Sequence, residues 1–314
     1  MKYNKFINNR STIRLLNSSE INIMETGLRD GIQVVEKYVP IKDRVIIVNG
    51  LIDAGIKNIQ IVSFVNPRKV PQMSAAEDLI SRLSPNNKLE YSALVFNRKG
   101  VERAINSGIN KIETSISLSE SYNQKNLGLN NLEAIERLKN VIRLGLENKL
   151  KIRAGLQCVW GTPDNREIDL HNITSNISLI LNSGVDKISL CDTSGMATPD
   201  KISRLLEFIY NDFPKVNICL HLHNTYGFGL KNLGCALQFD IKEIDTSLGG
   251  IGGTPYLKNS KGNIATEDTV SMLEKMGYHT GIDYKKVSEQ SRFLEKIIGE
   301  KYFSGKMYKK SKLY

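Results

Sequence analysis

Two histidines separated by one residue, His221 and His223, are candidate metal ligands. Alternate residues of a β-strand point to the same side of the sheet, so a strand here would project both imidazoles together. Two imidazoles at this spacing form half of a metal site. The chain has only 4 histidines, and two of them occur here, after a short apolar run. Two histidines with no shared role are the alternative.

An adjacent cation and carboxylate, Arg29 and Asp30, follow the first apolar run of the chain. A carboxylate can hold a hard divalent cation, and a guanidinium can hold a substrate oxygen through two donors. A surface ion pair is the alternative. Four of the five residues at 249–253 are glycine, which would allow this loop to close over a ligand. A plain flexible connector is the alternative for the loop.

Short β-branched runs alternate with longer amphipathic segments along most of the chain. We predict strands at 21–28, 58–65, 89–96, 111–118, 150–159, 187–191, 216–223 and 241–248. The intervening segments have helical periodicity, and several end in glycine, as at Gly55, Gly108 and Gly184. Eight such units predict the α/β class and a closed (β/α)8 TIM barrel. An open doubly wound sheet is disfavoured because its Gly-rich phosphate turn is missing after the first strand.

The predicted domain organisation is an N-terminal extension at 1–20, one barrel domain at 21–298 and a basic tail at 299–314. In such a barrel the catalytic groups lie at the C-terminal ends of the strands. The candidate residues above all fall at such ends. Much of the formal net charge of +10 lies at the two ends of the chain, which favours solvated, partly disordered termini over a nucleic-acid surface.

No stretch of about 18 apolar residues is present, so the sequence predicts no membrane span. The 4 cysteines include no Cys-x-x-Cys pair, which is typical of a reducing compartment. The first twenty residues lack an apolar signal region. We therefore expect a cytoplasmic protein with a small-molecule substrate and neither nucleic acid nor membrane as a partner. An organellar targeting segment in the basic first twenty residues is the alternative.

The motifs at the predicted strand ends resemble those of 3-hydroxy-3-methylglutaryl-CoA lyase, a metal-dependent TIM-barrel family in the larger group of lyases and synthases with an Arg-Asp-Gly strand end. The resemblance runs in order over about residues 21–285. The Val-Pro-Gln-Met segment points to the lyase branch. The matching segments are 25–33 (ETGLRDGIQ), 63–65 (SFV), 70–73 (VPQM), 119–122 (SESY), Lys125-Asn126, 191–195 (CDTSG), 221–227 (HLHNTYG) and 262–268 (GNIATED).

The resemblance implies a role for each matching residue. Arg29 would polarise a carbonyl or stabilise an enolate, His221 would also serve in proton transfer, and Asp192 would line the site. The implied cofactor is one Mg²⁺ or Mn²⁺ ion, which oxygen and nitrogen donors suit. A homodimer or higher homo-oligomer is also implied. The implied metal ligands are Asp30, His221, His223 and Asn263.

Two positions depart from the family pattern. Where the lyase carries a catalytic cysteine in Gly-Gly-Cys-Pro, this chain has Thr254, whose hydroxyl does not ionise usefully near neutrality. Where the lyase has a glutamate before the Ser-Phe-Val segment, this chain has Gln60, whose amide cannot accept or deliver a proton. Both are therefore doubtful as catalytic groups, and an altered reaction or an altered substrate is predicted.

Three functions remain open on the sequence. The first is a metal-dependent carbon–carbon lyase that cleaves a 3-hydroxy acid or its CoA thioester through a metal-stabilised enolate, with water or His221 taking the proton. The second is an aldolase or a condensing enzyme for acyl-CoA or a 2-oxo acid on the same metal site. The third is a non-catalytic ligand-binding homologue, which would have no need to retain Arg29 and all four ligands. No residue identifies the substrate.

Overall fold

The structure is a computed structural model that describes residues 20–84, 89–164, 166–185, 187–253 and 262–310. Eight parallel strands close into one barrel in chain order, and β1 pairs with β8 as well as with β2. The predicted fold is therefore confirmed. The strands are β1 (Asn22–Glu25), β2 (Asn58–Ser63), β3 (Glu90–Leu94), β4 (Lys111–Ser117), β5 (Lys151–Gln157), β6 (Lys187–Cys191), β7 (Asn217–His221) and β8 (Glu243–Thr246).

Helices surround the barrel and begin and end where local signals indicate. Thr198, Asp169 and Asp283 cap helices by accepting hydrogen bonds from backbone N–H groups of the first turn. Gly55 and Gly184 follow helix ends with positive φ of 95° and 88°. The helices are α1 (Ile41–Asp53), α2 (Ala76–Ser81), α3 (Arg98–Asn106), α4 (Glu120–Leu127), α5 (Asn131–Glu147), α6 (Leu170–Asn182), α7 (Pro199–Asp212), α8 (Gly229–Ala236), α9 (Thr266–Lys275), α10 (Tyr284–Ile298) and α11 (Met307–Lys310).

Several strands begin with an isoleucine between two polar residues. This alternation separates an apolar layer outside the barrel strands from a polar layer in the barrel interior. Ile112, Ile152 and Ile244 are buried in the hydrophobic core of the domain. Because neighbouring residues of a strand point to opposite sides, the flanking polar residues face the barrel interior. Burying such an isoleucine contributes roughly 1.5–3 kcal/mol, so the core fixes the strands while the interior remains free for polar groups.

The C-terminal segment differs from the sequence prediction. Residues 299–310 pack on the domain, and Tyr308 is fully buried, with its hydroxyl donating to Glu295 at 2.8 Å. The carboxylate of Asp268 accepts the backbone N–H groups of Lys306 and Met307. The expectation of a partly disordered end therefore does not hold for residues 299–310, although Lys301, Lys306, Lys309 and Lys310 are exposed to solvent. The basic composition of this segment gave no indication that the aromatic side chain of Tyr308 would be buried against the domain.

No helix in the described part of the chain is long and apolar enough to span a membrane. The four cysteines are all free thiols.

Candidate active site

The metal-ligand candidates meet at the C-terminal end of the barrel. His221 is the last residue of β7, and His223 lies two positions later on the same side, so their Nε2 atoms are 3.3 Å apart. Asp30 reaches the same point from the turn after β1, with Oδ2 at 3.7 Å from Nε2 of His221. The three possible ligand atoms lie within 4.8 Å of one another. This spacing suits one shared cation.

Asn263 completes the cluster from the strand-like segment that pairs with His223. Its Nδ2 donates to Oδ2 of Asp30 at 2.7 Å and to the carbonyl of Ile251 at 3.3 Å. Its Oδ1 is buried and has no hydrogen-bond partner among the described residues. A buried amide oxygen without a donor is costly unless something else binds it. The donor set of carboxylate, two imidazoles and an amide therefore fits a divalent cation.

The protonation states in the cluster favour cation binding. Burial, reinforced by neighbouring His221, lowers the pKa of His223 to about 4, so its imidazole is neutral and keeps a lone pair. Burial alone would raise the pKa of Asp30, but Arg29 and the two histidines lower it to about 2. Metal ligands must be deprotonated, and both groups are deprotonated at neutral pH.

His221 is oriented from behind by Asp245 of β8. Nδ1 of His221 lies 3.1 Å from Oδ2 of Asp245, so Nε2 faces the cluster. Burial would raise the pKa of Asp245, but Arg153 and His221 hold it well below its usual range. A carboxylate on the far nitrogen of a ligating histidine fixes the ring and its tautomer.

Arg29 lies beside the cluster in the π-helical turn Gly27–Gly31. Its Nε donates to Oε1 of Gln60, and its Nη1 donates to Oδ1 of Asp30 at 2.5 Å. A guanidinium has five N–H donors, so three remain without a partner among the described residues. Those three can meet negative charge that develops on a substrate oxygen.

A cavity of about 350 Å³ lies below and beside these groups. Arg29, Asp30, His221 and His223 line it at the mouth. Its outer rim runs over the ends of β2, β3 and β4 and carries Lys69 and Arg137. Its inner end lies along the barrel axis and is lined by Ser115, Gly155, Ser189, Glu113, Arg153 and Asp245.

The start of the Gly-rich loop after β8 is tied to the barrel by two buried acids. Glu25 accepts the backbone N–H of Leu248 at 2.9 Å, and Glu267 accepts that of Gly249 at 2.9 Å. Burial raises the pKa of each carboxyl to about 7. The carbonyl of Gly249 also accepts the N–H groups of Ser304 and Gly305. The described part of the loop is therefore held from β1, from α9 and from the C-terminal segment.

Two other sequence predictions have different outcomes. Asp192 was expected to line the site, but the described cavity wall contains its neighbours Cys191 and Thr193 and not Asp192. Its Oδ1 instead accepts the N–H of Ala197 at 3.1 Å, because the side chain turns into its own loop. Burial raises its pKa to about 8. Thr254 lies outside the described residues.

The sequence analysis missed Glu113, Arg153 and Asp245, which form the inner end of the cavity. A signal was present, because each strand concerned opens with charge, isoleucine, charge: Lys-Ile-Glu, Lys-Ile-Arg and Glu-Ile-Asp. A charge that alternates with isoleucine in a barrel strand must face the interior.

The chain is similar to known proteins over most of its length. The HMGL-like family profile matches residues 20–294. The chain is 34% identical over 281 residues to hydroxymethylglutaryl-CoA lyase YngG of Bacillus subtilis, covering 90% of this chain and 94% of that protein. It superposes on a crystal structure of the Bacillus subtilis HMG-CoA lyase with a TM-score of 0.90 at 33% identity, covering 94% of this chain and 98% of the other.

A second solved structure similar to this chain is an HMG-CoA lyase from Acinetobacter baumannii in complex with coenzyme A and 3-methylmalate. It has a TM-score of 0.86 at 28% identity and covers 92% of this chain and 94% of that one.

Proposed function

Because the chain belongs to the HMGL-like family, we propose that it is a divalent-metal-dependent carbon–carbon lyase that cleaves a 3-hydroxyacyl-CoA thioester. The observation that carries the proposal is that three cation donors lie within 4.8 Å of one another at the cavity mouth, with an amide and a guanidinium hydrogen-bonded to the carboxylate among them. These residues are Asp30, His221, His223, Asn263 and Arg29.

The reaction breaks the bond between C2 and C3 of the acyl group. The 3-hydroxyl loses its proton and becomes a carbonyl, and the electron pair of the broken bond moves onto the thioester as an enolate. A divalent cation at the four donors would act as a Lewis acid toward substrate oxygens. Arg29 offers its three remaining N–H donors to the oxygen on which charge develops.

Proton transfer must differ from that of the family pattern. The side-chain carbonyl of Gln60 already accepts a hydrogen bond from Nε of Arg29, and an amide does not ionise. Thr254 has an ordinary hydroxyl where the pattern has a thiol. Nε2 of His221 is one of the cation donors and its Nδ1 faces Asp245, so water is the acceptor that remains for the hydroxyl proton. Water is also the donor to the enolate carbon.

The shape and charge of the cavity support the proposal that the substrate is a CoA thioester. Coenzyme A is far too large for a cavity of about 350 Å³, so only the acyl end enters and the nucleotide lies outside. Exposed Lys69 and half-buried Arg137 on the outer rim are cations suited to its phosphates. The Acinetobacter baumannii lyase similar to this chain was solved with coenzyme A.

The test is cleavage of 3-hydroxyacyl-CoA thioesters by purified protein with Mg²⁺ or Mn²⁺, followed by the release of acetyl-CoA. The reverse direction is assayed by supplying acetyl-CoA with ketones or 2-oxo acids. Metal-dependent acetyl-CoA release supports the proposal. Net condensation from the second mixture, with no cleavage in the first, would mean that the same site serves a condensing enzyme. No turnover in either direction, despite tight metal binding, would indicate that the protein binds a ligand without catalysing a reaction. Cytoplasmic location and self-association remain predictions.

A further inference from the structure

The guanidinium of Arg153 lines the inner end of the cavity but has no donor left for a ligand. Its Nε donates to Glu113 at 2.8 Å, and its Nη1 donates to Sγ of Cys219 at 2.7 Å and to Asp245 at 2.6 Å. Its Nη2 donates to Asp245 at 2.8 Å and to Glu113. These contacts use all five N–H groups of an arginine. A guanidinium that lines a cavity usually binds an anionic ligand, but all the donors of Arg153 are already used by protein acceptors.

The cluster also carries excess negative charge. Glu113 and Asp245 are two carboxylates that face one guanidinium, and all three are at most 6% exposed. Asp245, Cys219 and Glu113 raise the pKa of Arg153 well above its ordinary value, although burial alone would lower it. The second oxygen of Glu113 accepts the hydroxyl of Ser92 at 2.8 Å, so this carboxylate is anchored as well. The inner end therefore presents a net charge of about −1 to whatever enters.

The acyl end of a thioester must approach this cluster. The cation donors at the mouth fix the position of the reacting oxygens, and Asp245 lies directly beneath His221. Between the mouth and Arg153 the wall is made of Ser115, Gly155 and Ser189. A Cβ on Gly155 would lie 3.1 Å from Cβ of Ser115, so the missing side chain keeps this passage open. The passage can accept a small substituent and hydrogen-bond it with neutral hydroxyls.

We propose that Glu113 is a specificity-determining residue: it accepts hydrogen bonds from Arg153, so the guanidinium has no donor left for a ligand and the inner end disfavours the binding of a carboxylate. The substrate is then a 3-hydroxyacyl-CoA whose substituents at C3 are uncharged. Cleavage between C2 and C3 yields a neutral ketone or aldehyde and, when C2 is unsubstituted, acetyl-CoA. The 3-hydroxyl proton leaves to water and a proton returns from water to C2, so no oxidant or reductant is needed. This inference rests on the proposed lyase function.

The test compares two thioesters that differ by one terminal carboxylate, 3-hydroxybutyryl-CoA and 3-hydroxyglutaryl-CoA. Binding of each is measured by calorimetry with Mn²⁺ present, and cleavage of each by product release. A carboxylate placed against a buried net negative charge is strongly disfavoured. We expect the parent protein to bind the neutral thioester at least about ten-fold more tightly.

Two variants separate specificity from simple damage. Glu113→Gln keeps the size of the side chain and removes one negative charge, and Glu113→Ala also releases donors of Arg153. Each is expected to reduce the preference by about ten-fold through tighter binding of the carboxylate thioester, with binding of the neutral thioester little changed. The matched control is Glu90→Gln, because Glu90 pairs with Lys111 and Lys151 at the opposite end of the barrel and does not line the cavity.

The outcomes are distinguishable. A parent that binds 3-hydroxyglutaryl-CoA as well as 3-hydroxybutyryl-CoA, or variants that weaken both equally, would overturn the role of Glu113 and leave the lyase proposal standing. A parent that binds and cleaves neither thioester would overturn both. The parent ratio tests the inference even if the variants do not fold, since it requires no substitution.

Discussion

Arg29 and Gln60 are joined by a hydrogen bond from the guanidinium Nε to the side-chain oxygen, between the turn that follows β1 and the neighbouring strand β2. The amide carries no charge, so Asp30 is the one carboxylate paired with Arg29 among the described residues. The other amide atom, Nε2 of Gln60, is buried without a partner in the described structure. Arg29 therefore has a fixed orientation and keeps more of its positive charge for a ligand than it would beside a second acid.

Replacement of Arg29 by lysine is expected to lower turnover by orders of magnitude while the fold survives. An ammonium is a point charge and cannot contact Gln60, contact Asp30 and present further planar donors at the same time. Turnover of the thioester and thermal unfolding are measured side by side. Arg98→Lys is the matched control, because Arg98 forms an exposed helical pair with Glu102. Near-native turnover of the Arg29 variant would show that Arg29 acts only as a structural partner of Asp30.

His221→Ala, Asp30→Asn and Asn263→Ala should each weaken the binding of Mg²⁺ or Mn²⁺ sharply, because each removes or weakens one of the four donors. Changes at or around a metal ligand typically cost about 10–100-fold or more in affinity. Manganese titration followed by electron paramagnetic resonance gives the constants, and far-UV circular dichroism should be unchanged.

His171→Ala is the control for the metal titrations, because His171 is exposed on α6 and stacks edge-on against Phe208. Its metal affinity should equal that of the parent. If the parent binds no divalent ion, and added Mn²⁺ leaves its thermal stability unchanged, the assignment of these residues as a metal site is wrong.

The barrel and the cluster at its mouth could be predicted because each depends on short-range patterns. Strand-length apolar runs recur eight times and several of the helices between them end in glycine. His221 and His223 share a face wherever a strand precedes them. The bounds were less predictable. The first strand was expected at 21–28 but ends at Glu25, since the chain then turns through Gly27–Gly31. That turn aims Arg29 and Asp30, and nothing in the residue types required a π-helical turn.

The inner end of the cavity and the C-terminal segment could not be predicted in the same way. Glu113, Arg153 and Asp245 come together from three strands, and partners so distant in sequence are set by barrel closure. Tyr308 lies among lysines, and a count of charge cannot show that its ring is buried where α11 packs against α9 and α10. Asp192 lies between Cys191 and Thr193, which line the cavity, so the alternation of side chains places it on the other side, where Oδ1 accepts the N–H of Ala197.

The C-terminal segment should contribute directly to stability and to the loop after β8. Tyr308→Ala is expected to lower the free energy of unfolding by roughly 3–5 kcal/mol, as for other buried aromatic truncations. Urea unfolding gives the value. The neighbouring Lys310→Ala, whose side chain is exposed, is the control and should change little. Because Ser304 and Gly305 hold the carbonyl of Gly249, turnover should fall as well. A fully stable Tyr308 variant would contradict the packing described.

Stability should fall as pH rises from about 5 to 8, in part because of Glu267. Burial raises its folded pKa to about 7 from an ordinary value of 4.5. The folded state therefore holds a proton that the unfolded state has released in this window, and stability is lost as pH rises through the folded pKa. One pKa unit corresponds to about 1.4 kcal/mol, so the full effect is on the order of 3 kcal/mol.

Glu267→Gln resembles the protonated side chain and should flatten this pH dependence, as measured by urea unfolding at a series of pH values. Glu274→Gln removes a charge from the exposed face of the same helix and is the matched control. A slope that is the same in the parent and in the Glu267 variant would show that Glu267 does not titrate in this range.

The last prediction concerns Thr254 and Gln60, the two positions that the sequence analysis expects to depart from the lyase pattern. Thr254→Cys combined with Gln60→Glu introduces a thiol and a carboxylate, and general acid–base groups are typically worth about 10²–10⁴-fold in rate. We nevertheless expect cleavage of hydroxymethylglutaryl-CoA to stay at background in this double variant, because its terminal carboxylate still meets Glu113. The native reaction should weaken, since a glutamate at position 60 would place a second carboxylate against Arg29.

Adding Glu113→Gln to that pair should raise the cleavage of hydroxymethylglutaryl-CoA above the parent by about 10² or more, since the proton-transfer groups can act only on a substrate that binds. Acetoacetate release with Mg²⁺ present is measured for the parent, the double variant and the triple variant. A large gain already in the double variant would show that proton transfer alone separates this chain from the family pattern. A parent as fast as both variants would show that neither Thr254 nor Gln60 marks a change of chemistry.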